Sequence, residues 1–247
     1  RMSIALGLAQ EVQQSLLPQS DPSLPGFDIA GASIYCDETG GDYYDFINTS
    51  RGGQAGLAVV VGDVSGHGVS SALLMATARA LIMLRASMPG EAAGIINDVN
   101  RYLSQDTAQT GNFMTFFYCE LTKRETEIQW VRAGHDPALV YDPSTDVFDE
   151  LKGQGLALGL DDAFEYDSFH RRTEPGQVIM IGTDGIWEMH NQAGEMFGKK
   201  ALMEIIRNNH TASARQIVET VTETLKQFRG DEAPEDDITL VVIKVER

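Results

Sequence analysis

Residues 57–68 read LAVVVGDVSGHG. Leu57 to Val61 form a short apolar run rich in β-branched residues, too short for a core helix and suited to a buried strand. Gly62, Asp63 and a glycine-rich turn follow. Val178 to Gly185, VIMIGTDG, repeats the design: an apolar strand that ends in Thr183, Asp184 and Gly185. Gly40 to Phe46, GGDYYDF, brings Asp42 into a strand directly after a glycine pair. A further acidic site, Glu235-Asp236-Asp237, precedes a closing strand, ITLVVIKV. Each segment places a carboxylate at the edge of a strand beside residues that let the backbone turn or approach a ligand closely.

Outward from these segments the chain alternates in blocks. Ile4 to Leu17 has a helical stripe of Ile4, Leu8, Val12 and Leu16, stopped by Pro18. Strands are expected at Phe27–Tyr35, Tyr43–Asn48 and Leu57–Gly62, then helices at Val69–Ser87 and Ala92–Leu103. Further strands follow at Phe113–Leu121, Glu127–Ala133, Ala138–Tyr141, Phe164–Arg171 and Val178–Gly182. Lys199–Asn208 and Ala212–Phe228 read as helices, and Ile238–Val245 as the last strand. Clustered strands with helix pairs inserted between them define an α+β layered fold. With no linker beyond the first loop, residues 1–18 read as a helical extension and 19–247 as one domain. The chain opens inside the helical stripe, as a domain cut from a longer polypeptide would. That helix either packs on its own domain or links to a regulatory module or partner chain.

The 247 residues carry 36 acids against 19 bases, a net charge of −17. This balance disfavours nucleic acid and anionic membranes, which call for clustered Lys and Arg. No uninterrupted apolar run approaches the roughly 20 residues that span a bilayer, and no secretory signal is recognised. The expectation is a cytoplasmic protein. Cys36 and Cys119 belong to no CxxC or Cys/His cluster and read as free thiols.

Carboxylates that converge at strand ends cannot all stay ionised unless something positive joins them. The four acidic segments contain no Lys or Arg, with His67 the nearest candidate. An all-oxygen donor set suits hard cations such as Mg²⁺ or Mn²⁺. Two such ions a few Å apart can clamp a phosphate. Alternation at the start of the last strand permits either Asp236 or Asp237 as a ligand. A single Asp-Gly would be only a turn signal; the joint pattern is what points to a site.

GGDYYDF, VVGDVSGHG, AGHDPALVY, GLALGL, IGTDGIWE and EDDITLVV, in this order, resemble the metal-dependent serine/threonine protein phosphatases. The match is to their bacterial SpoIIE/RsbU-type branch. It extends from Gln10 to Val245 and includes QQSLLP at the entry. The resemblance implies a four-layer α/β/β/α sandwich of two antiparallel sheets flanked by helix pairs. It implies two divalent cations, Mn²⁺ or Mg²⁺, bridged or ligated by Asp63 and Asp184, with the Val64 carbonyl completing one shell. Asp236 aligns with the last metal aspartate of the family, Asp237 is its neighbour, and Asp42 would bind metal directly or through water. A metal-bridging hydroxide would attack phosphorus in line, without a phosphoenzyme. The substrate would be a phosphoserine or phosphothreonine protein, in this branch a small STAS-type anti-sigma-factor antagonist. An upstream sensor or response-regulator domain would act through the N-terminal helix, and a homodimer is compatible with it. The family's eukaryotic members place a phosphate-binding arginine early in the first sheet. Phe27 to Ser50 has none, and Arg51 matches nothing in that plan, so phosphate binding would rest on the metals.

Several residues carry plainer readings. His67 either protonates a leaving serine oxygen or orients Asp63 or the following helix. His135 reads as a turn residue, and Ser65, Gly66 and Gly68 as shaping a helix entry. Trp187 and Glu188 line the substrate side or, for the Trp, fill the core. Met75, Met83, Met180 and Met203 read as core filling. Two other functions fit the same acidic pattern: a dimetal hydrolase of small phosphate esters, and a non-catalytic signalling module.

Overall fold

The computed structural model describes residues 2–51, 54–122 and 127–246. A helix α1 (Met2–Leu16) precedes the strands β1 (Phe27–Ile34), β2 (Asp42–Arg51) and β3 (Gln54–Val64). Helices α2 (Val69–Ala86) and α3 (Ala92–Thr107) follow, then β4 (Met114–Thr122), β5 (Glu127–Ala133), β6 (Ala138–Asp142) and β7 (Val147–Leu151). The chain closes with β8 (Phe169–Arg172), β9 (Val178–Gly182), α4 (Gly198–Asn209), α5 (Ala214–Arg229) and β10 (Ile238–Val245).

The strands form two five-stranded sheets, ordered β1-β10-β9-β6-β7 and β2-β3-β4-β5-β8. All their pairings are antiparallel. Three apolar clusters separate four layers. Val59, Val61, Phe117, Cys119, Ile179, Ile181, Val241 and Ile243 fill the space between the sheets. Val60, Phe116 and Tyr118 face the other way, onto Met75, Ile82, Ile96 and Val99 of α2 and α3. Met180, Leu240 and Val242 face Leu202, Ile217 and Val221 of α4 and α5. This is the α/β/β/α sandwich. The continuous apolar strands arise because both faces are covered, so alternation of side chains changes the partner and not the polarity.

Some expected boundaries move for identifiable reasons. Asp63 lies within β3, opposite Asp42 at the start of β2, and not in the turn beyond the strand. Residues 164–168 are not strand: Phe164 and Tyr166 pack with the cluster under α2 and α3, and β8 begins only at Phe169. The edge strand β7, VFDEL, escaped sequence reading because its alternating exposed positions leave no apolar run. Helix α5 starts at Ala214, after a capping box in which Ser213 and Gln216 exchange side-chain to backbone bonds. Met83 is 36% exposed and is not core filling, whereas Met75 and Met180 are buried. Although Arg79 and Arg85 interrupt it, α2 has the length and mean hydropathy to cross a bilayer. Its Met75, Ala78 and Ile82 are instead buried against the sheet.

Candidate active site

The parity of the strands decides which acids meet. In β3, Val59 and Val61 face the opposite sheet, so Asp63, two residues on, faces it too. Asp42 and Thr115 are its cross-strand partners and share that face. In the other sheet Ile181 and Val241 point inward, which carries Thr183, Thr239 and Asp237 inward at the same end. The sandwich therefore closes at this end on polar groups from both sheets.

Two of these groups are joined directly. The Thr183 hydroxyl donates to Asp42 Oδ2 at 2.8 Å and accepts from the Thr239 amide at 3.0 Å. Asp42 is 1% exposed. Burial, then the nearby Asp63 and Asp237, push its carboxyl well above the ordinary range, while hydrogen bonds from Thr239 and Thr183 oppose the shift.

Asp237 is an anchor. Its Oδ1 accepts from the Cys36 amide at 2.9 Å, and its Oδ2 from the amides of Gly41 at 2.8 Å and Asp42 at 3.4 Å. It is 5% exposed and ties the end of β10 to the loop entering β2. Two glycines make this approach possible. A Cβ on Gly40 would lie 2.2 Å from Asp237 Oδ2, and one on Gly185 would lie 2.0 Å from the Asp237 carbonyl oxygen. Backbone cannot yield as a side chain can, so Gly185→Ala is expected to cost about 1–3 kcal/mol from overpacking. Thermal melts should show a fall of roughly 3–10 °C for a domain of this size, and an unchanged melting temperature would contradict the contact.

Asp236 falls on the other side of the pleat. It is exposed, accepts its neighbour's amide (Asp237 N to Oδ1, 2.8 Å), and lines a cleft of about 210 Å³ with Gly185, Glu188, Met189, His190, Met196 and Glu235. Asp63 and Asp184 are partly buried. Burial and the charges of Asp184, Asp236 and Asp237 push Asp63 up to about 8. Asp184 is raised by burial, then by Asp236, Glu188 and Asp136. Although Asp236 is exposed as a residue, partial shielding of its carboxyl in the cleft raises it, as does the Asp237 charge, while the Asp237 amide and His67 oppose the shift. Asp63 feels Asp184, Asp236 and Asp237, and Asp184 feels Asp236, so these acids lie within electrostatic reach of one another.

The donor set fits hard cations, with carboxylate oxygens from four segments, and among the described residues no Lys or Arg lines the cleft beside Asp236. The Val64 carbonyl lies beside Gly41, where an added Cβ would be 2.8 Å away. Among the described residues, no group of three or more His, Cys, Asp or Glu side chains is drawn in tightly enough to hold a metal as it stands. The acids are collected at one end of the sandwich.

The sequence matches the family described as Stage II sporulation protein E (SpoIIE) over residues 53–246. The chain belongs to the SpoIIE family. The named relatives and structural neighbours that follow support its enzyme class, protein serine/threonine phosphatase. The "Phosphoserine phosphatase RsbU" of Bacillus subtilis is 26% identical over 237 residues, which are 96% of this chain and 69% of that protein. The "Phosphoserine phosphatase RsbP" of the same organism is 23% identical over 84% of this chain, which spans half of RsbP. The fold matches the SiaA-PP2C domain of Pseudomonas aeruginosa with a TM-score of 0.82, at 22% identity over 98% of this chain and 96% of that one. It also matches the RsbU and RsbW domains of a Mycobacterium tuberculosis protein (TM-score 0.78, 24% identity, 94% of this chain, 63% of that one). RsbX in complex with magnesium has the same fold at a TM-score of 0.66 and 15% identity, covering 92% of this chain and 99% of RsbX.

Several side chains of this SpoIIE-family domain differ from their sequence reading. His67 does not orient Asp63: its side chain is 80% exposed and its Nδ1 lies 3.3 Å from Asp37. His135 does more than shape a turn, since both ring nitrogens are engaged deep in the domain. Ser65 accepts from the Phe113 amide at 3.0 Å, and Gly66 and Gly68 take positive φ before α2. Thr183 and Thr239 were missed, although the parity that brings in Asp237 brings them in as well. Gln13 was also missed. It is buried on α1 and clamps Gly40, donating to its carbonyl at 2.6 Å and accepting from its amide at 3.1 Å.

Proposed function

We propose that this domain dephosphorylates a phosphoserine or phosphothreonine on a protein partner, using its carboxylate cluster to hold two divalent cations, Mn²⁺ or Mg²⁺. The observation that carries this reading is the collection of Asp42, Asp63, Asp184 and Asp236 at one end of the sandwich with their acidities suppressed. Asp63, Asp184 and Asp236 would hold the cations, with the Val64 carbonyl beside Asp63. Asp42 takes the inner position, fixed by the Thr183 hydroxyl. Asp237 holds the Cys36–Asp42 backbone in place and is a support for the site, not a ligand. The bound cations would supply Lewis-acid polarisation of the phosphoryl oxygens. The cleft beside Asp236 is open to a side chain presented on a folded partner.

A small STAS-type anti-sigma-factor antagonist is the proposed partner, by likeness to the RsbU-type branch. The test is release of phosphate from such a phosphoprotein with Mn²⁺ or Mg²⁺, against a panel of nucleotides and small phosphomonoesters. Preference for the phosphoprotein by orders of magnitude is expected. Preference for a nucleotide would instead support a small-ester hydrolase.

Helix α1 is the proposed input from a sensor or response-regulator module. Ile4, Leu8 and Val12 are 57–70% exposed on one stripe, while Gln13 reaches inward to Gly40. Gly40 precedes Gly41 and Asp42, so movement of α1 would be felt in the loop that Asp237 holds. Gln13→Ala should lower kcat by about 10- to 100-fold, the scale of a small misplacement of reacting groups. Steady-state kinetics would check this, and unchanged kcat would make α1 a structural element only.

A further inference from the structure

We propose that His135 is a positioning residue that sets the separation of the two sheets at the metal-binding end. It fixes where Asp63 and Asp184 stand relative to each other. This rests on the dimetal reading of the site.

The imidazole bridges the sandwich. Its Nδ1 lies 2.9 Å from the Thr115 hydroxyl and its Nε2 lies 3.1 Å from the Gly182 carbonyl oxygen. Thr115 is on β4 and is the cross-strand partner of Asp63. Gly182 ends β9, two residues before Asp184. One ring therefore spans from the neighbour of one candidate ligand to the neighbour of the other, across the gap between sheets.

The roles of the two nitrogens follow from the Gly182 partner and from the neutrality of the ring. A carbonyl oxygen can only accept, so Nε2 carries the proton and donates to Gly182. Nδ1 then accepts from the Thr115 hydroxyl. This requires a neutral ring, and His135 is 2% exposed with burial pushing its pKa down to about 4. The ring is also held from outside the bridge. Phe117 meets it edge-on with centroids 6.5 Å apart, and Arg132 Nε donates to the His135 carbonyl while Arg132 Nη1 donates to Gly153 at 3.0 Å. The bond to Gly182 is buried and the bond to Thr115 partly so, settings in which a lost partner is costly. A rigid crosslink of this kind acts on metal affinity as groups behind a ligand commonly do, by about 10- to 100-fold.

Mn²⁺ binding by the full chain, measured by calorimetry, distinguishes this role from plain core packing. His135→Leu removes both bonds and should weaken Mn²⁺ binding at least about tenfold. His135→Gln, whose amide also carries one donor and one acceptor, should restore most of the affinity. Thr115→Val removes one bond at nearly constant shape, keeps the test open if His135→Leu fails to fold, and should weaken binding in the same direction. Metal-free melting temperatures are taken alongside. Wild-type Mn²⁺ affinity in the Leu and Val variants, whatever their melting temperature, would overturn the proposal and leave the dimetal reading standing. No Mn²⁺ binding by the wild type would overturn that reading, and this proposal with it.

Discussion

Asp63→Asn should reduce metal-dependent phosphatase turnover by at least about a thousandfold, roughly 4 kcal/mol in barrier. The change is nearly isosteric and removes one charge from the centre of the cluster. In the metal-free protein it should act in the opposite direction. The folded carboxyl is held up to about 8 against an ordinary 3.8, by burial first and then by Asp184, Asp236 and Asp237. Between those two values the folded state keeps a proton that the unfolded state has lost. Stability therefore falls as pH rises through this window, and the loss is complete above about 8. An asparagine stays neutral and is spared. With chelator present, Asp63→Asn should melt higher than wild type at about pH 9, and the difference should shrink toward pH 4. Activity assays and melts across pH check both halves. Turnover equal to wild type would remove Asp63 from the chemistry, and no gain in alkaline stability would mean that its charge is relieved by something else.

The neighbouring pair Asp236 and Asp237 should respond in opposite ways to the same substitution. Asp237→Asn turns one acceptor into a donor, which then faces the amide of Cys36 or of Gly41. A buried bond is lost and two donors meet, at a cost of about 1–3 kcal/mol or more. Melting should fall by roughly 5 °C or more. Asp236→Asn keeps an oxygen for the Asp237 amide and sits exposed, so melting should hardly change. Mn²⁺ binding should drop in Asp236→Asn by about tenfold or more as a charged ligand is lost. If instead Asp237→Asn melts like wild type and loses Mn²⁺, the two assignments are reversed.

Most of the architecture was legible because apolar runs and helical stripes state their own periods. The layered α+β class and the order of helix pairs follow from segments such as Leu57–Val61 and Val178–Ile181, whereas the division into two antiparallel sheets came from the resemblance to the phosphatase family. The edge strand β7 was not legible, since an exposed edge carries acids that look like loop. The acids were legible as a set from their strand-end positions. Strand alternation alone could not divide the labour between Asp236 and Asp237, because that depends on which face of β10 meets the other sheet; the preference for Asp236 came from the family resemblance. His135 and Gln13 were illegible for a related reason. A polar side chain that crosses between elements has no local pattern to announce it; its meaning lies in partners 47 and 27 residues away. The S-x-x-Q start of α5 was, by contrast, a local signal that sequence alone supplies.

The pleat at the start of β10 also bears on how this chain tolerates changes in length. Asp237 anchors and Asp236 is exposed because they fall on opposite sides of one strand's entry. A residue inserted between Asp237 and Ile238 would move Asp237 into the outward place and leave the Cys36 and Gly41 amides facing whatever side chain arrived. A residue inserted ahead of Glu235, in the turn at Asp231–Pro234, would change neither position. Insertions and deletions a few residues apart would thus differ in consequence from silent to severe, and the boundary between the two outcomes runs through a single peptide bond.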